Sequence, residues 1–85
     1  MPEEAERLVL WRRMMPQEAM LAPNIDYARL ARGYELAGGN IRNAVLRAAF
    51  LAASLGREID MELLERAVEL EYRDAGMLAA AGRLS

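Results

Sequence analysis

The chain has 85 residues, 11 of them arginine and 13 acidic, with no lysine, histidine or cysteine and a formal net charge of −2. That length holds one small domain, and the missing His and Cys exclude imidazole and thiolate metal sites, Ser-His and Cys-His nucleophile pairs, disulfides and redox dithiols. The longest unbroken apolar run, Ala48 to Ala53, is six residues, against the roughly 20 that a membrane-spanning helix requires. Nothing at the start reads as a signal peptide, and the near-neutral charge gives no reason to expect a nucleic-acid or membrane-surface partner.

Ala, Leu, Glu, Arg and Met dominate, Thr is absent and Val and Ile are few, which predicts helices and no strands. The first helix is expected to begin near Pro2 or Glu3, where Glu3, Glu4 and Glu6 suit the positive end of the helix dipole, and to stop at Met15 before Pro16. Its apolar positions Ala5, Leu8, Val9, Trp11 and Met15 follow helical spacing. Residues 16–24, holding Pro16 and Pro23, read as a connector in which Gln17 to Leu21 has the composition for one helical turn. Asp26 and Asp60 each have the chemistry of an N-cap, and each is preceded by an Ile (Ile25, Ile59) and followed four residues later by a Leu (Leu30, Leu64), the pattern of a hydrophobic staple. Helices are therefore expected at about 27–34 and 61–75, with Gly56 and Gly76 as left-handed C-caps. The domain spans residues 1–76, and 77–85 read as an unstructured tail.

The segment from Gly39 to Leu55 is the most informative. At about 100° per residue, Ile41, Val45, Ala48, Ala52 and Leu55 form one stripe, which is expected to face the core. On the side where Arg42 sits lie Leu46, Ala49, Phe50 and Ala53, and only Asn43, Arg47 and Ser54 make a polar edge. Such a helix is apolar over more than a surface helix needs: it is either surrounded on all sides, or its second apolar face meets something outside the chain. Arg42 in the first turn opposes the helix dipole at about 0.3–1 kcal/mol when exposed. With Gly38, Gly39 and the free amides of the helix start, it forms a candidate anion site suited to phosphate. The alternative is that the glycines only make a tight loop and Arg42 pairs with an acid such as Glu35.

The run ELAGGNIRNAVLRAAFLAA, Glu35 to Ala53, resembles the C-terminal helical lid of AAA+ ATPases. The likeness extends to ERLVLWRRMMP (Glu6–Pro16) as a first lid helix, NIDYARLARGY (Asn24–Tyr34) as a second, and DMELLERAVELEYRDAG (Asp60–Gly76), with its Glu71-Tyr72 pair, as a fourth. The resemblance implies an all-α, four-helix lid. In it Gly39-Asn40-Ile41-Arg42 corresponds to the Gly-x-x-Arg sensor-2 motif, so Arg42 would approach the γ-phosphate of ATP and the turn Ala37, Gly38, Gly39 would lie near adenine and ribose. Ala37 departs from related sequences, which often carry Ser there.

The chain has no Walker A motif, which needs Lys, and no acidic pair ending a strand. No catalytic or metal-binding residue is therefore expected within it, and no cofactor for it alone. ATP and Mg²⁺ would be held by an absent N-terminal large subdomain, the lid's partner together with neighbouring subunits of a ring, commonly a hexamer, in the cytoplasm. Arg12, Arg13 and Arg32 are candidates for those contacts.

Two other readings stand beside this one. A helix-turn-helix DNA-binding module fits Leu30 to Ala48, although its recognition helix would carry only Arg42 and Arg47; a free-standing protein-interaction bundle needs no nucleotide. Trp11, Met14, Met15 and Met20 read as core and connector packing. Glu62, Glu65, Glu69, Glu71 and Asp74 read as a solvated face with Glu62–Arg66 and Glu69–Arg73 pairs.

Overall fold

A computed structural model describes residues 2–74 and Gly76, and the expected tail, residues 77–85, lies outside them. Four helices follow in chain order: α1 (Glu4–Met14), α2 (Tyr27–Gly33), α3 (Gly38–Leu55) and α4 (Met61–Asp74). They form a small helical bundle in which α3 packs against α1 and α4, and α1 packs against α2. Trp11, Leu30, Leu36, Ile41, Ile59 and Leu64 are fully buried between them.

α1 begins where Glu6 reaches back to accept a hydrogen bond from the Glu3 amide at 3.5 Å, with Glu4 also in the acidic first turn and Arg12 and Arg13 in the last, a charge order that matches the helix dipole. Met15 is extended, as required of a residue before proline. The inward face differs from the one expected. Trp11 and Met15 are buried, but Val9 is half exposed and Ala5 is exposed, while Arg7 is buried. Arg7 Nε donates to the Ala31 carbonyl and Nη1 to the Pro2 carbonyl, both at 2.8 Å. The cation thus meets an unpaired carbonyl in the last turn of α2, where the dipole favours it, and its stem covers apolar surface on the way.

The connector makes a single turn, closed by the Ala19 amide on the Pro16 carbonyl at 3.3 Å, and no helix. Instead, Leu21 bridges Ile59 in parallel fashion. The Ala22 amide donates to Ile59 O at 2.8 Å and the Ile59 amide to Met20 O at 2.9 Å, clipping the connector to the α3–α4 junction. Met20, expected to pack, is 75% exposed beside this clip.

The caps are those the sequence announces. Asp26 accepts from the Arg29 amide at 3.0 Å, and Asp60 accepts from the Leu63 amide at 2.9 Å and from Arg57 at 2.6 Å. Gly56 (φ +65°) and Gly76 (φ +80°) take the left-handed conformation, the Gly56 amide donating to Ala53 O and the Arg57 amide to Ala52 O. The Leu63 amide bond, opposed by burial and aided by Arg57, holds Asp60 below the usual carboxylate range. Removing either cap as Asp→Ala is expected to cost about 1 kcal/mol. Asp60→Ala is expected to cost more than Asp26→Ala because it also releases Arg57. Urea unfolding of the two variants checks the order, and equal costs would show that the Arg57 contact contributes nothing.

On α3, Ile41, Val45, Ala48 and Ala52 are buried as expected, and Ala44 joins them. Leu55 does not: it stands in the last turn, just before the chain reverses at Gly56, and is 59% exposed. No helix among the described residues is long and apolar enough to cross a membrane.

Candidate functional site

The two ends of the site candidate are fixed by a polar node that the sequence placed on the solvent side. Glu71, expected on the solvated face of α4, is 4% exposed. One carboxylate oxygen accepts from Asn40 Nδ2 at 2.8 Å and Asn43 Nδ2 at 3.2 Å, and the other from Arg47 Nε at 3.2 Å. Arg47 also pairs with Asp74 through Nη2. Burial alone would raise the Glu71 carboxyl, but the bonds from Asn40, Asn43 and Arg47 and the Arg47 charge outweigh it and hold the group below the usual carboxylate range. The polar edge of α3 therefore faces an acid on α4. Asn40, Asn43 and Arg47 recur at i, i+3 and i+7, so they share one edge of the helix. Three donors in one row, needing a common acceptor on a neighbouring helix, were the signal available in the sequence.

This node ties the first turns of α3 to the last turns of α4, and Arg42 rides on the same turn. The Arg42 side chain is exposed, and among the described residues no carboxylate lies within 4.0 Å of it; the six ion pairs there use other arginines, and Glu35 takes part in none. Ala37, the N-cap, has no side chain able to close the helix, so the Gly38 and Gly39 amides stand at an open helix end. Both glycines have ordinary negative φ. A Cβ on Gly39 would meet nothing within 4 Å, and one on Gly38 would reach only Leu10 Cδ1 at 3.7 Å. Among the described residues, then, neither glycine answers a conformational demand. The structure brings Ala37, Gly38, Gly39 and Arg42 together at one exposed helix end.

The second apolar face of α3 is open. Leu46 is 54% and Phe50 73% exposed, Ala53 is exposed and Ala49 half-buried, so α3 is not surrounded on all sides. Leu46, Phe50, Leu51 and Leu70 line a groove of about 440 Å³ whose polar wall is the Asn43, Arg47 and Glu71 node.

Elsewhere the acids of α4 depart from the expected i,i+4 ladder. Arg66 lies 3.9 Å from Glu69, one turn in the other direction, and Glu62 lies 3.8 Å from Arg57. Glu65 accepts from the Tyr34 hydroxyl at 3.0 Å, and burial together with that acid pushes the phenol up to about 12. Of the surface arginines, Arg12 lies over the Tyr27 ring, 5.3 Å from its centroid, and Arg13 and Arg32 are exposed. No group of three or more acidic metal ligands occurs among the described residues. Compared with models of known protein families the chain matches none, and among curated proteins there is likewise no match.

Proposed function

We propose that the chain is a helical lid of the AAA+ type, which closes over ATP bound to a separate large subdomain and carries Arg42 to the γ-phosphate as a sensor. The observation that supports this reading most is the state of Arg42. A guanidinium in the first turn of a helix is unfavourable unless an anion faces it, and here it is exposed, with no acid paired to it among the described residues. The Gly38 and Gly39 amides open onto the same end, a combination suited to phosphate. The Glu71 node would hold this end rigid against α4, and the open α3 face would be the wall offered to the large subdomain or to a neighbouring ring subunit. Mg²⁺ and the catalytic groups would come from that subdomain, and the cytoplasm, where ATP is at hand, is the proposed compartment.

Arg42→Ala is expected to leave the isolated chain as stable as before, or slightly more so, because the side chain is exposed, takes part in no ion pair among the described residues and opposes the helix dipole. In an ATPase that joins this lid to its P-loop subdomain, the same change is expected to lower ATP turnover by about 100- to 1,000-fold, the usual scale for one transition-state donor. Thermal unfolding and turnover measured side by side decide it. A destabilised chain with unchanged turnover would make Arg42 structural and end the sensor reading.

The exposed Leu46 and Phe50 also favour a second reading, a protein-interaction bundle that needs no nucleotide. A helix-turn-helix reading has less support, since Arg47 is engaged with Glu71 and Asp74 and, among the described residues, Arg42 is the one arginine of α3 without an ion-pair partner to meet phosphate or bases.

A further inference from the structure

We propose that the open face of α3 is a self-complementary docking surface for a second copy of this chain, the two α3 helices lying antiparallel across a two-fold axis near Ala49 and Phe50. Arg42, Leu46, Ala49 and Ala53 recur at i, i+4, i+7 and i+11, with Phe50 beside them, so one stripe runs the length of the helix. Within it Leu46 and Phe50 are the large exposed groups, and Ala49 and Ala53 are the small ones that let a second helix approach. An axis at this point sets Leu46 of each copy against Ala53 of the other and brings the two Phe50 rings together, a large-to-small match and an aromatic pair. Two-fold symmetry makes one patch serve as both halves of the contact.

The charges at the two ends favour this occupant over an unrelated apolar partner. Arg42 and Glu58 are both exposed, and among the described residues neither has an ion-pair partner, Arg57 being engaged with Asp60 and Glu62. Arg42 stands in the first turns of α3 and Glu58 just past the Gly56 cap at its other end, so the antiparallel arrangement brings Arg42 of each copy to the end of the helix that carries the other copy's Glu58. Glu58 borders the same shallow strip as Ala53 and Gly56, the side of the helix on which Arg42 lies. Antiparallel α3 helices also place opposite dipole ends side by side. This inference uses the α3 face and Glu58 just beyond it and stands whether or not Arg42 meets a nucleotide; any other occupant of that face has to displace the second copy.

A single helix face buries less than the 1,200–2,000 Å² of stable complexes, so association is expected at concentrations on the order of 100 μM. Sedimentation equilibrium from about 10 μM to 1 mM reads it, with circular dichroism confirming that each variant is folded. Phe50→Glu is expected to leave a monomer throughout. Arg42→Glu and Glu58→Arg are each expected to weaken association by about 10-fold, and the double variant to restore it. The chain has no native cysteine, so Leu46→Cys mixed with Ala53→Cys is expected to cross-link on oxidation more readily than either alone. A wild-type monomer over the whole range overturns the proposal, as does association that the charge exchange fails to restore.

Discussion

Glu71→Ala is expected to destabilise the domain by about 3 kcal/mol, a large share of what a chain of this length has. At roughly 0.05–0.15 kcal/mol per residue, 85 residues give about 4–13 kcal/mol in total. The loss has two parts. The substitution removes the common acceptor of Asn40, Asn43 and Arg47, and breaking one side of a buried polar cluster leaves the other side unpaired, at about 3–5 kcal/mol for a fully buried ion pair. Here the cost falls at the lower end because Arg47 keeps Asp74 and Asn43 is exposed enough to find water. Glu71→Gln retains one acceptor oxygen for the asparagines and is expected to cost less than half as much.

The same node sets an acid dependence. Glu71 and Asp60 both have folded-state values below the ordinary carboxylate range, so the folded chain resists protonation more than the unfolded chain does. Their contribution is fully present above the unfolded values, near 4, and is lost as pH falls through the lower folded values. Urea midpoints are expected to be flat near neutrality and to drop below about pH 4, with Glu71→Gln flattening part of that drop. A Glu71→Gln profile that parallels the wild type would show that this carboxylate does not contribute to the acid limb.

Trp11→Ala is expected to cost about 3–5 kcal/mol, the range for removing a large buried aromatic group and leaving a cavity, and to bring the domain close to unfolding at room temperature. Trp11 has no exposed surface and sits among the core residues from α2, α3 and α4. Its Nε1 has no hydrogen-bond partner among the described residues, which is uncommon for a buried indole and itself costs about 1–3 kcal/mol. Trp11→Phe removes that unpaired donor while keeping most of the apolar volume, so the two effects oppose one another. It is expected to cost no more than about 1–2 kcal/mol. Chemical unfolding of the pair separates shape from polarity: a Phe variant as unstable as the Ala variant would mean that the indole shape, or an unseen partner for its N–H, decides the packing.

Local chemistry alone determined the helices and their limits. Proline after Met15, aspartates at 26 and 60, and left-handed glycines at 56 and 76 act through bonds between near neighbours, so their consequences can be read from the chain within a residue or two. The core stripe of α3 from Ile41 to Ala52 was legible for the same reason, since helical periodicity brings those side chains to one side whatever lies opposite. The sequence also singled out Arg42, because a cation in a first turn is anomalous by local rules. What faces each helix was decided only by the tertiary structure. Arg7 is inside because the last turn of α2 presents it a carbonyl, and Glu71 is inside because three donors on α3 converge on it. Leu46 and Phe50 stay outside because none of the helices among the described residues packs over them. Burial of a charge depends on which partner arrives from elsewhere in the sequence: the spacing of the donors on α3 called for an acceptor, and only the packing of α4 made it Glu71.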